Sequence, residues 1–568
     1  MLDRIRLKLA SLEALPLLAL LGIVSGLVTG AVIIVFRYLI ELAQAGFLPG
    51  ANPENYEALP AMARFLIPAA GGLVLGLLFS RVDKKHLHIG VVHVLERLSY
   101  YQGYMPVKNF MMQFIGAALS IISGHSVGRE GPGIHLGAAS SSFIAQGLQL
   151  PNNTVRILVG CGAAASIAAA FNTPIAGVIF AMEVILMEYT IAGFTPIILA
   201  TVSATVLTRF IFGDAPAFIV PDLHLASFNE LPLLLLMGVV IGAVSAAFIG
   251  LMKITTLYAQ SWPIIVRLSL AGIFTGLCAL LVPQIMGIGY DTVNAAMLGH
   301  LGLGLLALVV LFKLVATTIG LGLGLPGGLI GPTMVIGAAA GGVLGLFADT
   351  LFSGDVASPG FYAMLGMGAM MGATLQAPLA ALMAMLELTI NTHIILPGML
   401  VVIVAGITSS HLFRQQGVFM MLLRARGLDL RHDPVAQSLR RIGVASAMDR
   451  SFVRTEQHIS RTAAQAVLQH EREWIIIEHE GVPVSLMLTA DLARAMGKES
   501  PDQIDLMEIP GNRVDSVQVS IRATLQQALE TMDDHQVDVL YVGQTSAAGI
   551  TSVQGVITRQ KIDSYYRY

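Results

Sequence analysis

From Leu15 to Phe413 the chain is a succession of apolar segments separated by brief polar breaks. In hydrocarbon, backbone polar groups must be satisfied inside the protein, which restricts segments of this kind to helices. Leu15–Ala43, Leu231–Ala259 and Ile265–Ile285 are long enough to cross a bilayer. Others are short and broken by glycine and proline: Ile134–Leu148, Ile157–Ala170, Ile175–Met187, Thr333–Phe347 and Leu379–Leu388. Non-helical backbone at membrane depth survives only where it is buried in protein or lines a wet cavity. Short, interrupted segments at matching places in two halves point to a transport site at their meeting. Charged residues make up 12% of the chain, against about 25% in a soluble protein. The expectation is an all-α polytopic protein of a lipid bilayer.

The two halves do match. Pro174-Ile175-Ala176 is followed by Glu183, and Pro378-Leu379-Ala380 is followed by Glu387 at the same spacing, 204 residues later. Upstream, Gly131-Pro132 recurs as Gly331-Pro332 at an offset of 200. This predicts an internal repeat with broken helices, its copies spanning about residues 65–213 and 231–414. Within the first repeat, Arg129 and Glu130 stand side by side among glycines, flanked by apolar runs. An ionisable residue at membrane depth is costly and marks a functional site by default. The glycines free backbone N–H groups near a helix start, an arrangement that suits an anion. Glu130 is therefore expected to compete with an anion for those N–H groups.

The remaining bounds are simple. A net charge of −3 offers no basic field for nucleic acid. Cys161 and Cys278 both lie in apolar segments, so no disulfide framework is implied. The first apolar run is too long for a cleaved signal peptide, and Arg4, Arg6 and Lys8 before it place residues 1–14 in the cytoplasm. His88, His93, His125 and His135 do not have the spacing of a metal site. His470-Glu471-Arg472-Glu473-Trp474 lacks the second histidine of a zinc-protease helix, so no enzyme is read here.

Residues 432–568 are polar and charged, as in a soluble domain. Two units there share the order helix, strand, strand, helix. In the first, Arg461–His470 is a helix, Glu473–Glu478 and Val482–Leu488 are strands, and Asp491–Met496 is a helix capped by Thr489. The second runs through Ile521–Met532, Val537–Gly543, Val553–Ile557 and a helix from Thr558.

These features resemble the CLC family of chloride channels and chloride/proton antiporters. Gly128-Arg129-Glu130-Gly131-Pro132 is similar to the family's Gly-Arg-Glu-Gly-Pro motif, whose glutamate is the gate. Gly328-Leu329-Ile330-Gly331-Pro332 resembles its Gly-x-Phe-x-Pro element. Ala170–Gly177 with Phe180 and Glu183 resembles the segment that follows the gate. The tail resembles a tandem CBS pair, with copies at about 444–496 and 506–568. The resemblance implies a transmembrane domain over 15–431, voltage-gated anion conduction or antiport, a homodimer, an inner (plasma) membrane location and a cytoplasmic CBS pair. It also implies an anion pathway at Ile89, Gly90, Arg129, Gly131, Leu329, Ile330 and Phe419.

This chain departs from the family pattern in four places. Ile89 stands where a serine hydroxyl would touch the anion, and Phe419 where a tyrosine would. Ile330 replaces the phenylalanine of Gly-x-Phe-x-Pro. Glu183-Val184 stands where antiporters carry two glutamates, leaving the inner proton path at Glu183 and Val184 incomplete. Channel-like or weakly proton-coupled chloride transport is the leading reading, and a proton-coupled antiporter is the alternative. A membrane-anchored nucleotide sensor without ion flux is the alternative of another class. For adenine nucleotide at the CBS pair, each copy keeps half of the expected pattern, through Asp491 and Thr558. No other cofactor and no metal are expected.

Overall fold

The computed structural model describes residues 6, 9–10, 14–214, 218, 224–352, 356–428, 434–496, 502–511, 513–545 and 551–566. It forms two compact units: residues 19–147 with 156–430, and residues 1–18, 148–155 and 431–568. Most of the expected segment 1–14, and the expected boundary at 431/432, lie outside the described residues.

The larger unit is helical. Its helices are α1 (Leu15–Ala45), α2 (Ala61–Ser80), α3 (Gly90–Tyr100), α4 (Val107–Ile122), α5 (Glu130–Gly147), α6 (Asn152–Phe171), α7 (Pro174–Phe180), α8 (Ile191–Phe212), α9 (Leu231–Ala259), α10 (Ile264–Leu281), α11 (Tyr290–Met297), α12 (Leu303–Leu323), α13 (Ile330–Phe352), α14 (Pro359–Leu375), α15 (Pro378–Thr389), α16 (Ile395–Ile407) and α17 (Val418–Ala425). Among the described residues, nine helical stretches are long and apolar enough to cross a membrane. They differ in burial: 83% of the apolar window in Asn152–Phe171 and 78% of that in Ile330–Leu351 are buried, against 28% in Ala61–Ser80. The first two are largely enclosed by protein. The last exposes Leu66, Leu73 and Leu77, as a lipid-facing helix does.

Small residues decide how the inner helices pack. A side chain on Gly137 of α5 would overlap the carbonyl of Gly162 in α6, and one on Gly337 of α13 would overlap that of Gly366 in α14. The same close crossing thus recurs 200 and 204 residues later. With little hydrophobic drive between helices in lipid, such backbone approach supplies the packing. A second link is reciprocal. The Glu183 carboxylate accepts from the N–H groups of Leu379 (3.2 Å) and Ala380 (2.8 Å) at the start of α15. Glu387 accepts from Ile175 (2.9 Å) and Ala176 (2.7 Å) at the start of α7. Each half caps the broken helix of the other, and the acids sit where the N-terminal partial charge favours them. Replacing both acids with alanine leaves four N–H groups without these acceptors. The double variant is expected to melt at least about 5 °C below the parent in detergent; equal melting temperatures would show the caps to be dispensable.

The smaller unit is α/β. Its strands are β1 (Phe452–Glu456), β2 (His458–Ser460), β3 (Trp474–His479), β4 (Val482–Leu488), β5 (Gln503–Asp505), β6 (Arg513–Asp515), β7 (Gln518–Ser520), β8 (Val539–Thr545) and β9 (Thr551–Thr558). One sheet has the order β1-β3-β4-β6, another β7-β8-β9, and β2 pairs with β5. In each larger sheet the first strand runs parallel to its neighbour, which then pairs antiparallel with the next. Side chains alternate along β3: Ile475 and Ile477 face one core, while Ile476 joins Trp474, Leu486, Val539 and Tyr541 in another. One expected cap is corrected. The helix Thr489–Ala495 starts at Thr489 itself, its cap residue is Leu488, and no side chain caps it.

Candidate anion pathway

The site grows from two turns. After α4 the chain turns at Gly124 and enters α5 at Glu130; after α12 it turns at Gly324 and enters α13 at Ile330. Between them Gly128 and Gly328 exchange both backbone hydrogen bonds, at 2.7 and 2.8 Å. Ser126 and Thr317 hydroxyls add a contact of 2.9 Å. This bridge brings the N-termini of α5 and α13 together. Each carries partial positive charge and N–H groups without helical partners.

Glu130 fills the gap between them. It is 1% exposed. Its Oε2 accepts from the N–H of Gly331 at 3.1 Å, and its Oε1 accepts from the hydroxyl of Tyr290. A carboxylate of one half is thus bound by the helix start of the other. Any small anion in its place would meet the same donors.

Two cavities flank this carboxylate. The first, about 660 Å³, is lined by Ile89, Gly90, Gly131, Leu329, Ile330 and Phe419. Its charged lining is Lys84, Arg267 and Arg426, with no acid among the lining residues, a field that concentrates anions. The second, about 390 Å³, is lined by Arg37, Arg129 and Arg209 together with Glu41 and Glu54. Residue 129 faces one cavity and residue 131 the other, and Glu130 lines neither.

The structure therefore brings six of the expected pathway residues to one cavity and sets Arg129 on the other side. Arg129 approaches Glu41 at 3.5 Å and lies 5.2 Å from the centre of the Tyr290 ring. The Gly90 N–H donates to Gln113 Oε1 at 2.6 Å, so that helix start already has an acceptor. Ile89 precedes α3 without a side-chain cap, and Phe419 is buried on α17. Neither side chain carries a hydroxyl.

At the expected inner proton path, Glu183 is occupied in capping α15 and Val184 is buried. Asp491 is buried and pairs with Arg494 at 3.2 Å. The Thr558 hydroxyl accepts from the N–H of Lys561 at 3.2 Å and caps the last helix. The four histidines separate. His93 and His135 are hydrogen-bonded to each other at 2.8 Å, His88 lies 3.3 Å from Glu96, and His125 contacts the carbonyl of Ser120 at 3.0 Å.

Sequence reasoning misses three residues beside Glu130: Tyr290, Glu54 and Lys313. Glu54 lies in the connection between α1 and α2, and its Oε2 accepts the N–H of Tyr290 at 3.2 Å. Burial pushes the Glu54 carboxyl up to about 7, with the Arg129 charge opposing the shift. Lys313 is fully buried on α12 and donates to the carbonyls of Ile285 (2.9 Å), Gly287 (2.9 Å) and Ile288 (3.4 Å). The available signal was a lysine in an apolar span and a Gly-x-Gly-Tyr-Asp run at 287–291.

Comparison with known proteins agrees with this geometry. Residues 71–410 match the family described as "Voltage gated chloride channel". A ClcB-like chloride channel protein of Ralstonia nicotianae is 31% identical over 433 residues, 75% of this chain and 100% of the relative. The H(+)/Cl(−) exchange transporter ClcA of Yersinia pestis is 28% identical over 401 residues, 69% of this chain and 84% of its own length. Among solved structures, a slow cyanobacterial Cl−/H+ antiporter aligns with a TM-score of 0.63 at 23% identity, covering 72% of this chain and 97% of that one. A eukaryotic CLC transporter aligns with a TM-score of 0.61 at 17% identity, covering 97% of this chain and 99% of that one. The chain belongs to the voltage-gated chloride channel (CLC) family.

Proposed function

We propose that this protein moves chloride or a similar small anion across the membrane, with Glu130 as a protonatable gate. The observation that carries this reading is the Glu130 carboxylate of the first half seated on two donors of the second, between two cavities that residues 129 and 131 face from opposite sides. Protonation removes its negative charge and weakens those bonds, which frees the donors for an anion. The basic lining of the larger cavity supports anions over cations.

Conduction is channel-like or weakly coupled to protons. The support is Val184, an apolar side chain where a second inner acid would relay a proton, and the capping role of Glu183. Proton-coupled exchange is the second reading, favoured by the likeness to ClcA exchangers. The two inverted repeats span about 65–213 and 231–414. The C-terminal unit is a cytoplasmic tandem CBS pair in a homodimer of the plasma membrane, with a cytoplasmic N-terminus. Supporting the pair are its two similarly ordered sheets and the eukaryotic transporter's alignment across 97% of the chain. Asp491 and Thr558 are the candidate nucleotide contacts. The protein acts as a transporter, not an enzyme.

The test uses purified protein in liposomes. Chloride flux is expected to rise as pH falls, and Glu130→Gln to conduct at every pH. No flux, or unchanged pH dependence in that variant, would remove the gate. Under a pH gradient at fixed chloride, a constant reversal potential is expected of the channel-like reading; a shift with pH would establish exchange.

A further inference from the structure

We propose that Tyr290 is both the latch that holds the closed gate and, once Glu130 has swung away, a hydroxyl ligand of the transported anion. This rests on the reading of Glu130 as the gate and adds a binding residue to it.

Ile89 and Phe419, which line the larger cavity, carry no hydroxyl. A hydroxyl is nevertheless present beside Glu130. Tyr290 is the first residue of α11 and is almost wholly buried. Its O–H donates to Glu130 Oε1 while the Gly331 N–H donates to Oε2. When the carboxylate leaves, two neutral donors remain aimed at the vacated spot. Neutral donors replace part of an anion's hydration without a contacting full charge that would trap it.

Tyr290 is also held in place from several sides. Phe171 and Phe218 pack on its ring, with centroids at 5.9 and 5.1 Å. The Glu54 carboxylate accepts its backbone N–H. Lys313 ties down the turn that precedes it through three carbonyls. A donor with so little freedom gives up little entropy on binding. The ionisable groups around it are Glu130, Glu54, Arg129, Asp291 and Lys313, with Glu41 beyond Arg129. Asp291 is turned onto the N–H of Thr292.

The test is Tyr290→Phe in liposomes, which keeps the ring packing and removes the hydroxyl. Losing a donor to the carboxylate favours its protonated form. With the native gate, the midpoint of pH-activated chloride flux is expected to move up by about one unit, a tenfold change in proton concentration. In the Glu130→Gln background, the chloride concentration for half-maximal flux is expected to rise about fivefold to tenfold. An unchanged midpoint together with an unchanged half-saturating chloride would overturn the proposal. If Glu130→Gln alone leaves pH dependence intact, the gate reading falls instead, and the chloride affinity of the double variant still tests Tyr290 as a ligand. Should Tyr290→Phe fold poorly, fluorotyrosine at 290 is nearly isosteric and a stronger donor. It is expected to move the midpoint down; no movement would also overturn the latch.

Discussion

Replacing Lys313 with methionine is expected to destabilise the membrane unit by about 3–5 kcal/mol. Lys313 is fully buried on α12, and its ammonium donates to the carbonyls of Ile285, Gly287 and Ile288. A buried cation is costly by itself, and its removal recovers that desolvation. The carbonyls lose more than this. Each buried acceptor left without a partner costs about 1–3 kcal/mol, and three are involved. Glu54 and Asp291 also lose a nearby positive charge. Methionine matches the length of the lysine stem, so the loss isolates the ammonium. The measurement is thermal melting in detergent, with a drop of at least about 6 °C expected. A melting temperature within about 2 °C of the parent would mean that the carbonyls find other donors. Any protein that remains folded should also gate at a shifted pH, because the 285–289 turn carries Tyr290.

The contrast between Lys313 and Glu130 marks what was legible in the chain. Glu130 announces itself, since an acid among glycines and long apolar runs has few structural explanations. The broken helices were legible for the same reason: Gly331-Pro332 repeats Gly131-Pro132, and Pro378 with Glu387 repeats Pro174 with Glu183. The equal spacing suggested that Glu183 and Glu387 share a task. It could not say that each caps the other half's helix, because that exchange depends on which helices meet across the two halves and not on local order. Tyr290 and Glu54 were hidden more deeply. They reach Glu130 and Arg129 only after three segments distant in sequence meet, at 54, 124–132 and 285–290. No periodicity encodes that meeting. In the C-terminal unit, strands were legible from alternation, as in Val482–Leu488. The Thr489 cap was misplaced because Leu488, which has no capping oxygen, occupies the cap position.

Replacing Gly128 with alanine is expected to leave the pathway open at alkaline pH. Gly128 sits opposite Gly328 in the bridge that joins the two halves, and both of its backbone hydrogen bonds are already in use. A methyl on Gly128 would overlap Glu130 Oε2. It would also lie 3.1 Å from the Gly331 N–H that this oxygen accepts. The backbone on both sides is fixed by the bridge, whereas the glutamate side chain can rotate. Relief therefore comes from the carboxylate, which must give up its seat on α13. A charge-assisted hydrogen bond is worth about 1.5–3 kcal/mol, so its loss shifts the closed-to-open balance by roughly tenfold or more. Flux at pH 8 should come within about twofold of the flux at pH 5. The same change at Gly131 tests the opposite case. There the methyl would meet the Gly328 backbone at 2.8 Å, which has no rotamer to change, and the expected result is poor folding with no open pathway. If Gly128→Ala instead keeps full closure at pH 8, the carboxylate is held by Tyr290 alone and the Gly331 N–H is dispensable to the gate.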